Sequence, residues 1–458
     1  MPAKKNIFWI KNKLFRPAAI SAYSQALANE NCTTDQLCTL NWAKRRAIVA
    51  YAYQHSPFYR EFYDANGFSP KELESPEEWA SIPILEKDHL KKFTDEILAV
   101  DVPQRRRIHT TTGGSTGAPV LTYRDKGFPE EILKWRMLKR WSAEPFSDML
   151  MLWRIPKRTK TFYARLVNKL IWLPTKRYKF DVSMISRASL LKIEDILLKN
   201  RPKIIWGYVG ALEELANYLK EREIRLDYAP LVWATASPMS EVQLTLFHYV
   251  FGPRVLDQYA CSEIHWIASN APNTRHLQIE YDYRHVEVVD ALNGHVKNRG
   301  TTGDLLITDL ENRAFPLIRY RNGDRSSILP QSADVSTGLP WISPVKGRVT
   351  DTLKSPSGRK VPGEYVTTIF DDAHGLIRQF SVLQKRDFTI EITVSLSLEG
   401  RQSAGTVGQV LSRVKDNLGH KLGDEVVVAV KVVDKLPHDR GKIRFIRSEL
   451  AETDTVDM

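Results

Sequence analysis

Hydrophobic and polar residues alternate with two different periods along this chain. Residues 20–100 carry apolar side chains at helical spacing, as in the stretch from Asn41 to Tyr53, and predict a mainly helical start. Between residues 120 and 260 short apolar runs alternate with amphipathic stretches. This pattern predicts strands at 120–124, 203–208, 231–236 and 255–259, and helices at 130–141, 189–198, 209–221 and 240–251. Strands that alternate with helices pair in parallel, and ligands then bind at the carboxyl ends of the strands.

The pattern changes again in the last third of the chain. From residue 285 short strands and turns follow one another. From about residue 347 a strand at 389–394, a helix at 406–418 and a strand at 425–433 predict a separate α+β unit. A chain of 458 residues also exceeds what one hydrophobic core usually serves. We therefore predict a large N-terminal α/β domain over residues 1–346, with mixed sheets and a small β subdomain, and a small α+β domain over residues 347–458.

The overall composition is typical of a soluble globular protein, with 43% hydrophobic and 26% charged residues. No run approaches the roughly 18 apolar residues of a membrane-spanning helix, and the N-terminus lacks the pattern of a signal peptide. The three cysteines follow no paired pattern, which argues against a disulfide framework and against a structural zinc site. We expect a cytoplasmic protein that binds no zinc.

Positive charge is concentrated in two parts of the chain, whose net charge is +12. Residues 134–179 contain thirteen Lys and Arg against two acidic residues, together with four tryptophans, and residues 1–17 add five basic residues and no acid. Basic residues mixed with tryptophan suit peripheral contact with an anionic membrane surface or an acidic glycan. The alternative is a solvated basic face beside ordinary core aromatics. We do not expect nucleic-acid binding, because no recognition motif accompanies the charge.

A loop rich in hydroxyls and glycines is the first candidate for chemistry. It comprises Thr111, Thr112, Gly113, Gly114, Ser115, Thr116 and Gly117. Glycines allow the backbone to approach a ligand closely, and successive N–H groups and hydroxyls can bind phosphate. Two alternatives remain. The sequence also spells the G-x-S-x-G elbow of serine hydrolases, with Ser115 as nucleophile, although Pro119 stands where the elbow's helix should run; and such a loop can be a plain surface turn.

Three further candidates lie downstream of this loop. Glu263 follows the predicted strand 255–259 and could bind Mg²⁺ together with phosphates. Asp324, in an Asn-Gly-Asp sequence, could accept hydrogen bonds from a ribose diol, although the same sequence is typical of a hairpin turn. Lys442, beside Gly441, could reach a carboxylate and a phosphate together, and its alternative is a solvated basic tail.

In this order and spacing the motifs resemble the adenylate-forming superfamily of acyl-CoA synthetases and adenylation domains. The resemblance is greatest to the phenylacetate–CoA ligase branch, with its CapK-like capsular-polysaccharide proteins, and it covers roughly residues 75–445. It implies a large ATP- and acyl-binding domain and a small, mobile C-terminal lid domain. It also implies ATP, Mg²⁺ and CoA as reactants or cofactors.

The resemblance implies a role for each matching residue. Thr111 to Gly117 would wrap the ATP phosphates, Glu263 with Ser262 beside it would bind Mg²⁺, and Lys442 would bridge the acyl carboxylate and the α-phosphate. The remaining nucleotide contacts would come from Ala236, Ser237, Pro238, Tyr259, Asp324 and Arg348. The family usually has Asp or Lys two residues after this arginine, where the present chain has Thr350 followed by Asp351, so the hinge is placed there. The segment at residues 234–238, which would contact the adenine, also lacks the glycine and the acidic residue that the family usually has there.

We therefore predict a ligase that forms an acyl-adenylate and transfers the acyl group to CoA. Trp206, Tyr208 and Trp233 are candidates for lining the acyl pocket, with ordinary core packing as the alternative. Rival functions are an amide ligase in polysaccharide biosynthesis whose acceptor is an amine, a non-catalytic nucleotide-binding protein, and the serine hydrolase.

Overall fold

The computed structural model describes residues 2–111, 121–153, 155, 172–182, 186–290, 294–330, 338–345, 353–361, 366, 376–434, 436 and 446–450. Their α-helices are α1 (Pro2–Phe15), α2 (Pro17–Asn29), α3 (Thr34–His55), α4 (Pro57–Ala65), α5 (Lys87–Lys92), α6 (Thr94–Ile97), α7 (Glu131–Arg140), α8 (Arg187–Asn200), α9 (Val209–Glu221), α10 (Glu241–Phe251), α11 (Leu398–Gln402) and α12 (Ala404–Leu422). Short 3₁₀ turns span Pro70–Glu72, Pro76–Ser81 and Gln104–Arg106.

The strands follow the same chain order. They are β1 (Arg107–Thr111), β2 (Leu121–Asp125), β3 (Met149–Trp153), β4 (Arg177–Asp181), β5 (Ile204–Tyr208), β6 (Leu231–Thr235), β7 (Val255–Tyr259), β8 (Ala268–Asn270), β9 (Leu277–Ile279), β10 (Arg284–Val289), β11 (Gly303–Asp309), β12 (Tyr320–Ser326), β13 (Trp341–Ile342), β14 (Leu353–Lys354), β15 (Lys360–Val361), β16 (Ile377–Gln384), β17 (Ile390–Leu396), β18 (Val428–Val433) and β19 (Ile446–Ser448).

The described residues fall into two compact units. The first consists of those within 1–149, 158–177 and 256–345. It contains the antiparallel hairpin β1–β2, the antiparallel sheet β10–β11–β12 and the strand order β13–β9–β8–β7. One core binds the unit together, because apolar side chains of α3 and α4 pack with those of the β10–β12 sheet.

The second unit consists of the described residues within 150–157, 178–255 and 346–458. Its strand order β6–β5–β3–β4 is covered by α8, α9 and α10, and β5 pairs with β6 in parallel, as the alternation of strands and helices predicted. Its C-terminal part has a core of its own, formed by α12 against the sheet β18–β17–β16–β19. The described residues of the second unit thus contain two hydrophobic cores.

Local sequence signals set the helix boundaries. At the start of α3 the Gln36 amide donates to the Thr33 hydroxyl oxygen at 3.3 Å, and the Thr33 amide donates to the Gln36 side chain at 2.9 Å. Ser240 and Gln243 form the same reciprocal cap on α10. Such caps satisfy two of the amides that a helix leaves without an intrahelical partner. None of the described helices is long and apolar enough to cross a bilayer.

The basic segment after residue 134 does not begin as an exposed surface. Arg136 is fully buried, with Nε 2.6 Å from Glu280 and Nη1 2.7 Å from Asp282. Lys134 is also buried, and loss of solvent lowers its pKa to about 8. Trp135 packs in a core cluster. For Lys134 and Arg136 the expectation of a basic outer face is wrong, because both side chains are buried and Arg136 pairs with Glu280 and Asp282.

Candidate active site

The loop of hydroxyls and glycines connects two strands of a hairpin. Thr111 is the register partner of Leu121, and β1 and β2 run antiparallel on either side of residues 112–120, which lie outside the described residues. A nucleophile elbow instead joins a strand to a helix. The first described element after the loop is strand β2, and Ser115 itself lies outside the described residues.

Polar contacts fix the base of this hairpin. Arg106 donates through Nε to Oδ1 of Asp125 at 2.9 Å and through Nη2 to Oδ2 at 2.6 Å. Asn312 accepts from the Asp125 amide at 3.1 Å and donates to the Tyr123 carbonyl at 2.8 Å. A bidentate arginine–carboxylate pair constrains direction as well as distance. The hairpin therefore holds the two ends of the loop in a set geometry.

Tyr259 and Asp324 meet in the first unit although they are 65 positions apart. The Tyr259 hydroxyl donates to Oδ2 of Asp324 at 2.8 Å, and the Asn322 side-chain amide donates to the hydroxyl at 2.7 Å and to Oδ2 at 2.8 Å. All three side chains are buried. Burial, followed by the nearby Asp324 carboxylate, raises the pKa of Tyr259 well above its ordinary value, so the phenol remains a donor.

The Asn-Gly-Asp sequence forms a bulge and not a hairpin turn. Residues 320–326 are one continuous strand, and its register against β11 shifts between the Asp304 and Leu306 pairs. Gly323 lies within the shift at φ +84°, a conformation that other residues adopt only with strain. Buried and partly exposed residues alternate along the strand, so Asn322 and Asp324 both face inward. The hairpin-turn alternative is therefore wrong.

Glu263 follows β7 directly, as the sequence predicted, and is buried. The Tyr320 hydroxyl donates to its Oε1 at 3.1 Å. A single oriented carboxylate matches how proteins hold Mg²⁺, since this ion takes one or two carboxylates and completes its shell with water and phosphate oxygens. No cluster of three metal-ligating side chains occurs among the described residues. Ser262 is partly exposed beside Glu263.

A partly buried ion cluster holds the segment that carries Glu263. Glu130 lies 2.6 Å from Nη1 of Arg124, 3.6 Å from Nη2 of Arg284 and 3.7 Å from Nδ1 of His265. Arg284 also donates to the His265 carbonyl at 3.1 Å. Burial alone would raise the pKa of Glu130, but His265 and the two arginines lower it to about 2. The cluster thus joins β2 to the segment around Glu263.

The remaining described candidates lie in the second unit. Trp206 and Trp233 are register partners on β5 and β6 and stack with ring centroids 4.6 Å apart, and Tyr208 is only partly buried at the end of β5. Ala236 follows β6 at φ +78°. This left-handed backbone suits the glycine that the family usually has in this segment, and an alanine there is strained. Ser237 and Pro238 follow it and are not buried.

Several predicted residues lie outside the described residues. They are Thr112, Gly113, Gly114, Ser115, Thr116, Gly117, Arg348, Thr350, Asp351 and Lys442. The structure adds supporting residues that were not predicted, notably Asn322, Asp125 and Arg106. Asn322 and Asp324 are two positions apart on one strand and so lie on the same face, which the sequence spacing could have indicated. Nothing in the sequence pairs Arg106 with Asp125.

Comparison with known proteins finds similar chains over nearly the whole length. The chain is 25% identical to a phenylacetate–coenzyme A ligase of Thermus thermophilus over 88% of its own length and 93% of the relative's. It is 21% identical to the protein CapK of Staphylococcus aureus, covering 95% of this chain and 94% of that one. No protein-family model matches it.

Among solved structures, 2-hydroxyisobutyryl-CoA ligase in complex with an acyl-AMP has a TM-score of 0.75 at 16% identity, covering 92% of this chain and 91% of that one. At this identity the likeness concerns the fold. The chain thus has the fold of the adenylate-forming CoA ligases, and the resemblance to their phenylacetate–CoA ligase branch is confirmed.

Proposed function

We propose that this protein is an ATP-dependent ligase that activates a carboxylic acid as an acyl-adenylate and transfers the acyl group to CoA. The observation that carries the proposal is the buried arrangement of Tyr259, Asn322 and Asp324, with Glu263 on the segment that follows Tyr259. It occurs in a chain that resembles CoA ligases along nearly its whole length.

Asp324 is the proposed acceptor for the ribose hydroxyls. Tyr259 and Asn322 both donate to its Oδ2, which orients the carboxylate plane before any nucleotide binds. A carboxylate oriented in this way loses little freedom when it accepts a diol. The Tyr259 ring is proposed to line the adenine site, together with Ala236, Ser237 and Pro238, with Arg348 near the ribose.

Glu263 is the proposed protein ligand of Mg²⁺, oriented by the Tyr320 hydroxyl. The ion would neutralise charge on the ATP phosphates, which otherwise repel an incoming carboxylate. The backbone amides and hydroxyls of Thr111 to Gly117 are proposed to add donors to the same phosphates. The hairpin supports this role, because β1 and β2 stay paired up to Thr111 and Leu121, the residues on either side of that loop.

Lys442 is the proposed bridge between the acyl carboxylate and the α-phosphate. We place it in a C-terminal lid domain of residues 347–458, which moves about a hinge at Thr350 and Asp351 relative to residues 1–346. A hinge of a few terminal residues can absorb such a change. Trp206, Tyr208 and Trp233 are proposed to line the acyl pocket.

The direct test is exchange of labelled pyrophosphate into ATP across a panel of aromatic and aliphatic carboxylic acids, followed by thioester formation with CoA. We expect acid-dependent exchange that Asp324→Asn and Glu263→Gln reduce at least about a hundredfold each. Asp195→Asn, on an exposed helix face, is the control and should keep wild-type exchange. Failure of every acid to support exchange by a protein that binds ATP contradicts the proposal.

A second candidate is transfer of the acyl group to an amine. The likeness to CapK favours it, because that protein matches as much of this chain as the CoA ligases do. This alternative places the enzyme in polysaccharide biosynthesis, with an amino sugar or amino acid as acceptor. Product formation with amines and none with CoA would establish it over the thioester reaction.

We further propose that the enzyme is cytoplasmic and contacts an anionic membrane or acidic glycan peripherally through α1. Phe8 and Asn12 of this helix are buried, whereas Ile10 is 58% and Leu14 70% exposed. Lys4, Lys5, Lys11 and Lys13 belong to the same helix. Sedimentation with anionic vesicles should be lost in Leu14→Asp and kept in the control Leu198→Asp, and equal sedimentation of the two contradicts the proposal.

A further inference from the structure

The first unit contains a cavity of about 370 Å³ that the proposed reaction does not use. It lies between α3, the 3₁₀ turn Pro76–Ser81, β10 and the residues around β13. None of the described residues assigned above to nucleotide or metal binding lines it. A volume of this size is within the range of small-molecule sites.

Arg45 gives this cavity a buried positive charge. It is only 6% exposed, and its guanidinium lies between the indole rings of Trp42 and Trp79, at 4.7 and 4.8 Å from their centroids. Its Nε has no hydrogen-bond partner among the described residues. Stacking on indoles offsets part of the cost of burying the charge, but it leaves the Nε–H donor unused.

The buried carboxylate of the cavity wall, Glu287, already has hydrogen-bond partners. Glu287 lines the same cavity, and both of its oxygens accept from Nε of Arg319, at 3.2 and 3.1 Å. Its Oε2 also accepts from Nε1 of Trp79 at 2.9 Å. Glu77, the other carboxylate of the lining, is exposed, so the buried part of the wall has one carboxylate against the two buried arginines Arg45 and Arg319.

His285 adds a second unused polar atom to the wall. Its side chain is buried, and Nδ1 has no hydrogen-bond partner among the described residues. Burial, and then the charges of Arg45 and Arg319, lower its pKa well below the ordinary value. The imidazole is therefore neutral, and in the Nδ1–H tautomer it can donate to an oxygen without adding charge.

Much of the remaining lining is apolar or aromatic, beside the polar side chains of Thr34, Cys38 and Glu77. It includes Ile279, Ile328, Leu339 and Trp341, while Lys297 and Arg299 add positive charge to the lining. A ligand that fits must therefore combine an oxyanion with an apolar, ring-sized body. Apolar walls with a few convergent donors are the usual composition of a small-molecule site.

We propose that this cavity binds a small amphipathic anion, whose oxyanion accepts from Arg45 and His285 and whose apolar body packs against Trp79, Leu339 and Trp341. The site is distinct from the proposed adenylation site. The proposed anion site therefore does not depend on the proposed adenylation reaction.

The experiment uses the full chain and naphthalene-2-sulfonate, an anion that lacks a carboxylate for ATP to activate. Calorimetric titration should show binding that Arg45→Met weakens at least about tenfold and that Arg45→Lys partly restores. Neutral 2-naphthol should bind wild type and Arg45→Met alike, and Asp324→Asn should bind the sulfonate as wild type does.

Thiol alkylation supplies a readout that needs no variant. Cys38 lines the cavity and is exposed, whereas Cys32 is not among the lining residues and is partly exposed. Bound naphthalene-2-sulfonate should slow alkylation of Cys38 severalfold and leave Cys32 unchanged, as mapped by mass spectrometry. Absence of sulfonate binding at millimolar concentration, equal affinity of Arg45→Met, or unprotected Cys38 at saturation overturns the proposal.

Discussion

Replacing Tyr259 by Phe separates the two roles that this residue can have in ATP binding. The ring remains, so stacking on adenine is kept, but Asp324 loses the donor at 2.8 Å and keeps that of Asn322. A hydrogen bond to a charged group contributes about 1.5–3 kcal/mol. If about half of this is expressed as misorientation of the carboxylate, ATP binding weakens by about 1.4 kcal/mol, or tenfold.

The assay measures pyrophosphate exchange at saturating acid, together with equilibrium dialysis of ATP. We expect KM and Kd for ATP to rise about tenfold in Tyr259→Phe while kcat changes little, because the lost interaction serves the ground state and the transition state equally. In a double-mutant cycle with Asp324→Asn the two changes should not be additive.

The matched control is Tyr63→Phe. Tyr63 is also fully buried, and its hydroxyl has no hydrogen-bond partner among the described residues. This variant should leave ATP binding unchanged. Wild-type ATP affinity in Tyr259→Phe, or additivity with Asp324→Asn, refutes the reasoning that Tyr259 acts through the aspartate.

Three further predictions concern charges elsewhere in the chain. The pKa of Glu130 is lowered from 4.5 to about 2, so the stabilisation that its carboxylate supplies is complete above pH 4.5 and is lost as the pH falls towards 2. Between these two pH values the free energy of unfolding, measured by chemical denaturation, should fall by about 3 kcal/mol more in the wild type than in Glu130→Gln. Arg136→Met leaves two carboxylates buried without their partner and should lower the free energy of unfolding by about 3–5 kcal/mol, whereas the exposed control Lys199→Met should cost less than about 0.5 kcal/mol, both measured with urea. Lys442→Ala should reduce adenylation by at least about a hundredfold without changing ATP affinity severalfold, whereas Lys415→Ala should be neutral. Wild-type exchange in Lys442→Ala contradicts the bridging role of Lys442, and ATP binding without any exchange by the wild-type protein indicates a non-catalytic nucleotide-binding protein.

The sequence by itself was sufficient to predict several of the helices and strands. The helix Val209–Glu221 and the strand Val255–Tyr259 begin and end where periodicity and turn residues placed them. These boundaries can be predicted because the amphipathic period and the capping residues depend only on neighbouring positions in the sequence. The order of the motifs similarly pointed to Glu263 and Asp324 before any contact between elements was known.

Only the tertiary structure decided which residues hold one another. The pairs Tyr259–Asp324 and Arg106–Asp125 depend on chain topology, and the bulge at Gly323 depends on register against β11. The charge of Arg136 likewise became internal only because two distant carboxylates pack against it. Local periodicity carries no information about partners more than a hundred positions away, and burial of a charge is determined by what the fold brings to it.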